Sequence, residues 1–204
     1  MCEDSPVPRS PLAADDTDTA SRILDAAERL VQTRGFNGFS YADVAAELHL
    51  TKASLHYHYA GKAELGEALI LRYTERFVRA LETIDGSCDD APAKLGAYAD
   101  LYAAVLRGER MCLCGMLAAE FDTLSEGMRA AVIRFFDTNE AWLEEVLAVG
   151  RRDGSLVFDG APRETAQSVI GALEGAMRVA RPYRDARRFG TAAERLLATL
   201  VPAG

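Results

Sequence analysis

The residues from Leu50 to Leu65 constrain this chain more than any other stretch. Thr51 is a good N-cap, Lys52, Ala53 and Ser54 fill a first helical turn, and Leu55 is the one aliphatic residue of that turn. His56, Tyr57 and His58 follow at once. Gly61 then breaks the chain, and Lys62-Ala63-Glu64-Leu65 resumes it as helix. Three polar-tipped rings in succession make a poor core, because each would need a buried partner. They suit a short helix that reaches into a DNA groove, where Tyr, His and Lys bond phosphate oxygens.

The residues before this stretch complete a helix-turn-helix. Ser40 caps a helix from Tyr41 to Leu48, with Asp43 where a capping-box acid sits. Val44, Ala45 and Leu48 give that helix an apolar stripe, and His49-Leu50 forms the turn. A gap of a few residues between two short helices fits the DNA-binding version of the motif. Upstream, Ile23, Leu24, Ala27, Leu30 and Val31 recur at helical spacing. They predict a first helix that begins near Asp18 or Thr19 and ends at Gly35, a good left-handed cap. Phe36 and Phe39 close the core of a three-helix domain.

On these residues the chain resembles the tetracycline-repressor-like (TetR) family of transcriptional regulators. Ser40, Val44-Ala45, Leu50-Thr51-Lys52-Ala53-Ser54-Leu55, His56-Tyr57-His58-Tyr59 and Lys62-Ala63-Glu64-Leu65 occupy the places of the family's motif. The match is specific from about Ile23 to Leu65. Four positions depart from it: His49 stands for a turn glycine, Ala53 for a glycine, His56 for a tyrosine and Ala60 for a common proline. Histidine tolerates the left-handed conformation such a turn requires. Ala53 and His56 lie on the surface facing DNA and bear on which bases are read. The resemblance implies that Thr51, Lys52, Ala53, Ser54, His56 and Tyr57 face the major groove of a palindromic operator. Ser40, Tyr41, His58 and Lys62 would hold phosphates. It also implies an effector pocket, a homodimer and repression as the default state.

Beyond the motif the chain reads as helices throughout. Leu65, Leu69, Tyr73, Phe77, Leu81 and Ile84 predict a long helix from Lys62, which links the two domains, with Asp85 to Asp90 as a loop. Pro92 opens a helix that Gly108 ends. Met111 to Leu124 predicts a short helix, and Ser125-Glu126 starts a longer one that stops at Asp153-Gly154. Two more follow, Pro162–Arg181 and Arg184–Leu200. The expected architecture is all-α with about nine helices. Residues 1–17 form a disordered arm, 18–65 the helix-turn-helix domain, and 66–204 a ligand-binding and dimerisation domain. Effector candidates are Tyr98, Tyr102, Cys114, Phe121, Phe135, Asn139 and Trp142, since pockets between bundle helices are apolar with a few polar groups. Their alternative is simple core. Glu120 and Asp122 read as solvated or capping carboxylates. Val169, Ile170, Leu173, Met177, Leu196 and Leu200 are expected in the dimer interface, with Gly171 and Gly175 permitting close approach; an intramolecular helix pair is the alternative.

Charge limits what the DNA surface can be. The chain carries 31 acidic against 23 basic residues, a net −8, so it is not coated for nucleic acid. Binding must rest on few cations, hydroxyls and helix N-termini. Met1 to Asp18 has neither a basic start nor an apolar segment, and no apolar run is long enough to span a bilayer, so the expected location is the cytoplasm. Four cysteines lack the pattern of a disulfide scaffold. Cys112 and Cys114 read as buried thiols, or alternatively as a redox or electrophile sensor favoured by the adjacent Arg110. No phosphate loop, nucleophile elbow or paired-histidine motif points to an enzyme, a metal or a cofactor. The rival readings are a small helical enzyme, told apart by turnover, and an adaptor that does not bind DNA.

Overall fold

The computed structural model describes residues 11–202, and among them it contains nine α-helices, two single 3₁₀ turns and no strand. α1 (Pro11–Arg34) begins seven residues before the expected domain boundary. The proposed arm of residues 1–17 therefore falls partly on helix, and its first ten residues lie outside those described. α1 ends at Gly35, whose φ of 85° is the left-handed cap expected there.

α2 (Tyr41–Leu48) has the predicted bounds, and α3 (Lys52–His58) starts after the predicted Thr51 cap and ends before the break at Gly61. The Asp43 carboxylate accepts from both the backbone N–H and the hydroxyl of Ser40, at 2.7 Å each. His49 closes α2 in the left-handed region, with φ 56°. Thr51 Oγ1 accepts from Ser54 N–H at 3.1 Å and starts α3. Val44 and Leu55 are wholly buried and seal the pair against α1.

α4 (Lys62–Ser87) carries the core from this domain into the next through Leu65, Leu69, Ile70, Tyr73, Leu81 and Ile84. Buried Glu28 on α1 locks the two helices by pairing with Arg72 at 3.2 Å and with Arg76. The Asp85-Gly86-Ser87 punctuation does not end α4 as expected. Asp85 is held by Lys94 at 2.7 Å and by the Trp142 indole N–H at 2.8 Å, and the Ser87 hydroxyl donates to Thr83 O. These ties outweigh the weak helix propensity of the three residues.

The remainder is a helical bundle: α5 (Ala91–Arg107), α6 (Leu113–Ala118), α7 (Glu126–Asp153), α8 (Pro162–Ala180) and α9 (Ala186–Ala198). Its core is continuous with that of the N-terminal helices. No helix among the described residues is long and apolar enough to cross a membrane.

Candidate nucleic-acid interface and regulatory core

α3 presents Thr51, Lys52, Ala53, His56 and Tyr57 to solvent once Leu55 has turned inward. Tyr57 is 75% exposed, an unusual position for a large ring. Ser54 is half-buried beneath the cap, and His58 is half-buried against the Tyr57 ring at 5.2 Å. The His56 ring lies 4.9 Å from that of Tyr41, and its Nδ1 is 3.0 Å from Ala60 O. Tyr41 donates its hydroxyl to Tyr59 O at 3.0 Å. Burial, followed by the Glu64 charge, pushes that phenol up to about 12, so it remains a neutral donor. A shallow depression of about 420 Å³ is lined by Phe39, Ser40, Tyr41, Ala42, Lys52, His56 and Lys62. It joins the N-terminus of α2 to the face of α3, which is where a DNA backbone would lie against this motif.

Lys62 departs from the expected phosphate role. Its ammonium donates to Phe36 O and Phe39 O, and it sits 4.5 and 4.3 Å from the centres of those two rings. Burial pushes the group below the ordinary lysine value. This cation braces the α1–α2 loop from inside. Nearby, Arg29 pairs with Glu47 and Arg34 approaches Asp43 at 3.9 Å, so both are partly neutralised. Lys52 makes no ion pair among the described residues and is left facing outward.

Glu120, expected as a solvated or capping carboxylate, caps a distant loop. Its carboxylate accepts from Phe36 N–H at 2.6 Å and Asn37 N–H at 3.3 Å, while Asn37 donates to Thr123 Oγ1 at 2.7 Å. The segment after α6 thus caps the loop that leads into α2. A Cβ on Gly35 would come within 2.8 Å of that carboxylate, so glycine serves both the turn and the close approach.

The expected effector residues separate into groups. Tyr98, Tyr102, Phe135, Asn139 and Cys114 are almost completely buried, and they fill the core instead of lining an open cavity. Tyr98 donates to Asn139 Oδ1 at 3.0 Å and shares a 3.1 Å contact with the Tyr102 hydroxyl. Asn139 Nδ2 donates to Phe135 O at 2.7 Å. Trp142 stacks on Tyr98 at 5.6 Å. Phe121 stands apart under the Arg129 guanidinium. An open cleft of about 350 Å³ runs alongside this cluster, bounded by Glu28, Tyr73, Arg76, Phe77, Leu101 and Val105. Tyr73 and Phe77 form its floor and pack directly on Phe135.

Cys112 and Cys114 are buried free thiols. Burial, with the neighbouring Glu174 carboxylate, holds both well above the ordinary thiol range, so neither is a thiolate at neutral pH in this arrangement. Arg110 does not activate them; its guanidinium reaches Gln32 Oε1 at 3.4 Å. Glu174 was not singled out in the sequence. Both its oxygens are sealed from solvent without a hydrogen-bond partner, and burial pushes its carboxyl up. Among the described residues no group of three or more His, Cys, Asp or Glu is placed to hold a metal ion.

The proposed interface residues also need correction. Val169, Ile170, Leu173, Met177 and Leu200 are buried within the single chain, and Leu196 packs against the same core. The apolar stripe of α8 is consumed by α7 and α9. Besides Arg163, Glu164, Gln167 and Arg178, what remains exposed on α8 is Ser168, Gly171, Ala172, Gly175 and Val179, a strip of mostly small residues.

Comparison with known proteins agrees with this architecture. The model for bacterial regulatory proteins of the tetR family matches residues 23–69, and that for the tetracyclin repressor-like C-terminal domain matches residues 91–196. The HTH-type transcriptional repressor NemR of Escherichia coli K12 is 28% identical over 165 residues, covering 78% of this chain and 82% of NemR. A TetR-family regulator from Agrobacterium tumefaciens superposes with a TM-score of 0.88 at 28% identity, over 92% of this chain and all of the other. A TetR regulator from Legionella pneumophila gives 0.81 at 30% identity, over 89% and 97%.

Proposed function

The chain belongs to the tetR family of bacterial regulatory proteins, and on that premise we propose that this DNA-binding regulator is a repressor, released from a palindromic operator by a small, largely apolar effector. The observation that carries the DNA reading is the outward face of α3. Lys52, His56 and Tyr57 are exposed to solvent there, beside the depression that holds Ser40 and Tyr41. Thr51, Ala53, Ser54 and His58 complete the proposed contact set. A net charge of −8 is compatible with this reading because the DNA surface is small and acids elsewhere do not cover it.

Two recognition helices need two chains, so the working form is a homodimer. The outer faces of α8 and α9 are the proposed interface. Cβ atoms added at Gly171 and Gly175 would meet nothing within 4 Å, which leaves room for a second backbone.

The effector reading rests on the polar network inside the aromatic core. Tyr98, Tyr102 and Asn139 are linked by hydrogen bonds, and such a network can exchange partners with a ligand that enters through the cleft over Tyr73 and Phe77. A ligand that prefers the opened core over the closed one shifts α4, and with it the spacing of the two α3 helices.

The experiment is selection of genomic fragments by the purified protein. Recovery of a short palindrome is the expected outcome. Uniform recovery of unrelated fragments, or none, rejects the reading and favours an adaptor. Enriched operators then allow candidate effectors to be titrated with and without DNA; equal affinity in both cases rejects the inducer role.

A further inference from the structure

A second cleft, of about 420 Å³, opens at the end of the bundle nearest α1, between the turn after α5 and the turn before α9. Leu106, Ala180 and Ala186 give it apolar walls, and Arg107, Arg110, Arg181 and Arg184 project around it. Among the described residues none of these four guanidiniums has a carboxylate partner within ion-pair distance. Arg110 bonds the Gln32 amide at 3.4 Å, and Arg181 bonds Thr33 O and lies 3.3 Å from Met116 Sδ, all neutral acceptors. Of the two acids on the rim, Asp185 is taken up by Arg187, which donates to it from its backbone N–H at 3.0 Å and its Nε at 3.1 Å. Glu109 is the one carboxylate left. A chain of net charge −8 has thus gathered four uncompensated arginines around one concavity of small-molecule size.

The backbone at the rim is also unusual. Glu109 and Arg184 adopt φ values of 57° and 49°, and they are two of the three non-glycine residues with positive φ among those described. Each is a strained conformation for a residue with a side chain and persists only where surrounding contacts enforce it. Together they turn the two loops so that Arg110 and Arg184 converge on the same space. Planar guanidiniums in such a cluster fit carboxylate or phosphate groups, which they bind in bidentate fashion.

We propose that this cleft binds a small polyanion, a molecule carrying two or more negative charges on carboxylate or phosphate groups, and that its occupation is felt at the end of α1. Arg110 and Arg181 are the arginines that hold Gln32 and Thr33, in the last turn of α1. An anion draws them toward the cleft and weakens that hold. The turn they release leads through Gly35 into the loop that orients α2. The DNA consequence rests on the function proposed above; the binding itself does not.

The test is titration calorimetry of the full chain with sodium pyrophosphate and, separately, sodium citrate, each against sodium chloride of equal ionic strength. The structure predicts saturable binding of at least one of them, weakened about tenfold or more in the Arg107→Gln/Arg184→Gln double variant, which removes two charge-assisted contacts. Both residues are exposed, so unchanged thermal unfolding of that variant shows an intact fold. Pyrophosphate alone identifies a phosphate ligand, and citrate alone a carboxylate. Absence of saturable binding by either, or equal binding by the variant, overturns the proposal. Hydrogen exchange of the amides of residues 34–39 should rise on binding; unchanged exchange at saturation overturns the coupling to α1. If the anion-free double variant loses operator DNA, the arginines are DNA contacts and the proposal fails. A wild-type protein that binds pyrophosphate or citrate but retains no DNA rejects the regulator reading and leaves the site standing.

Discussion

Two lysines ten residues apart in the same motif, Lys52 and Lys62, do different work. Lys52 faces outward on α3, whereas the Lys62 ammonium is committed to Phe36 O and Phe39 O. Removing Lys52 should weaken binding on all DNA sequences and lower the salt slope by about one unit. Lys62→Met keeps an aliphatic stem over the two rings and loses the hydrogen bonds. It should cost about 2 kcal/mol of stability, read from urea unfolding, and leave the salt slope unchanged. A slope that falls in Lys62→Met would return this lysine to the phosphate backbone. Glu174 carries a separate prediction. Burial raises its carboxyl, so the native state holds a proton that the unfolded chain has released above the ordinary value of 4.5. The native state binds more protons, so stability falls as pH rises from the ordinary value up to the raised native one. Glu174→Gln removes the titrating group, so the urea midpoint should drop as the pH rises above 4.5 in the wild type and much less in the variant. Equal pH dependence in the two proteins would show that the carboxyl is solvated.

The loop between α1 and α2 is gripped from two sides, by Lys62 on its carbonyls and by Glu120 on its N–H groups. Glu120→Ala leaves those N–H groups to water and frees the entry into α2. The expected cost is about 1–2 kcal/mol of stability, with operator affinity reduced on every sequence. A variant with wild-type affinity and stability would mean that the loop is held by Lys62 alone. This grip shows where sequence reading stops. The bounds of α2 and the start of α3 are legible in the sequence because their caps are local: Ser40 with Asp43, His49 and Thr51 all act within one turn of their own helix. α5, α7 and α8 were found for the same reason, from Pro92, Ser125, Gly154 and Pro162. α4 overran its predicted end because Asp85 is held by Lys94 and Trp142. Glu120 lies 84 residues from its partner Phe36, and nothing in its neighbourhood signals that bond. The aromatic residues around Tyr98 were recognised as a group, but periodicity cannot distinguish rings that line a cavity from rings that fill one.

At the level of the assembly, the same ambiguity bears on the proposed dimer face. A stripe of Val169, Ile170, Leu173 and Met177 is apolar enough for either use, and α7 and α9 claim it inside the chain. The face left open, Ser168, Gly171, Ala172, Gly175 and Val179, is flatter and weaker in hydrophobic content but permits close backbone approach. Adjacent positions on α8 therefore answer different questions. Leu173→Arg places an unpaired charge in the core, at a cost of about 3–5 kcal/mol, and should unfold or greatly destabilise the chain at any protein concentration. Ala172→Arg points into solvent in the single chain and should leave unfolding of the protomer intact. It puts two guanidiniums face to face across a two-fold interface, because an isologous contact repeats every substitution. Light scattering at micromolar concentration should then report a dimer for the wild type and a monomer for Ala172→Arg. Operator affinity should fall steeply in that variant, since each half-site is now bound alone and the gain from linking two recognition helices is lost. A wild-type monomer rejects the dimer itself. An Ala172→Arg protein that stays dimeric rejects this face, and moves the search to the exposed residues Thr191, Ala192 and Arg195 of α9.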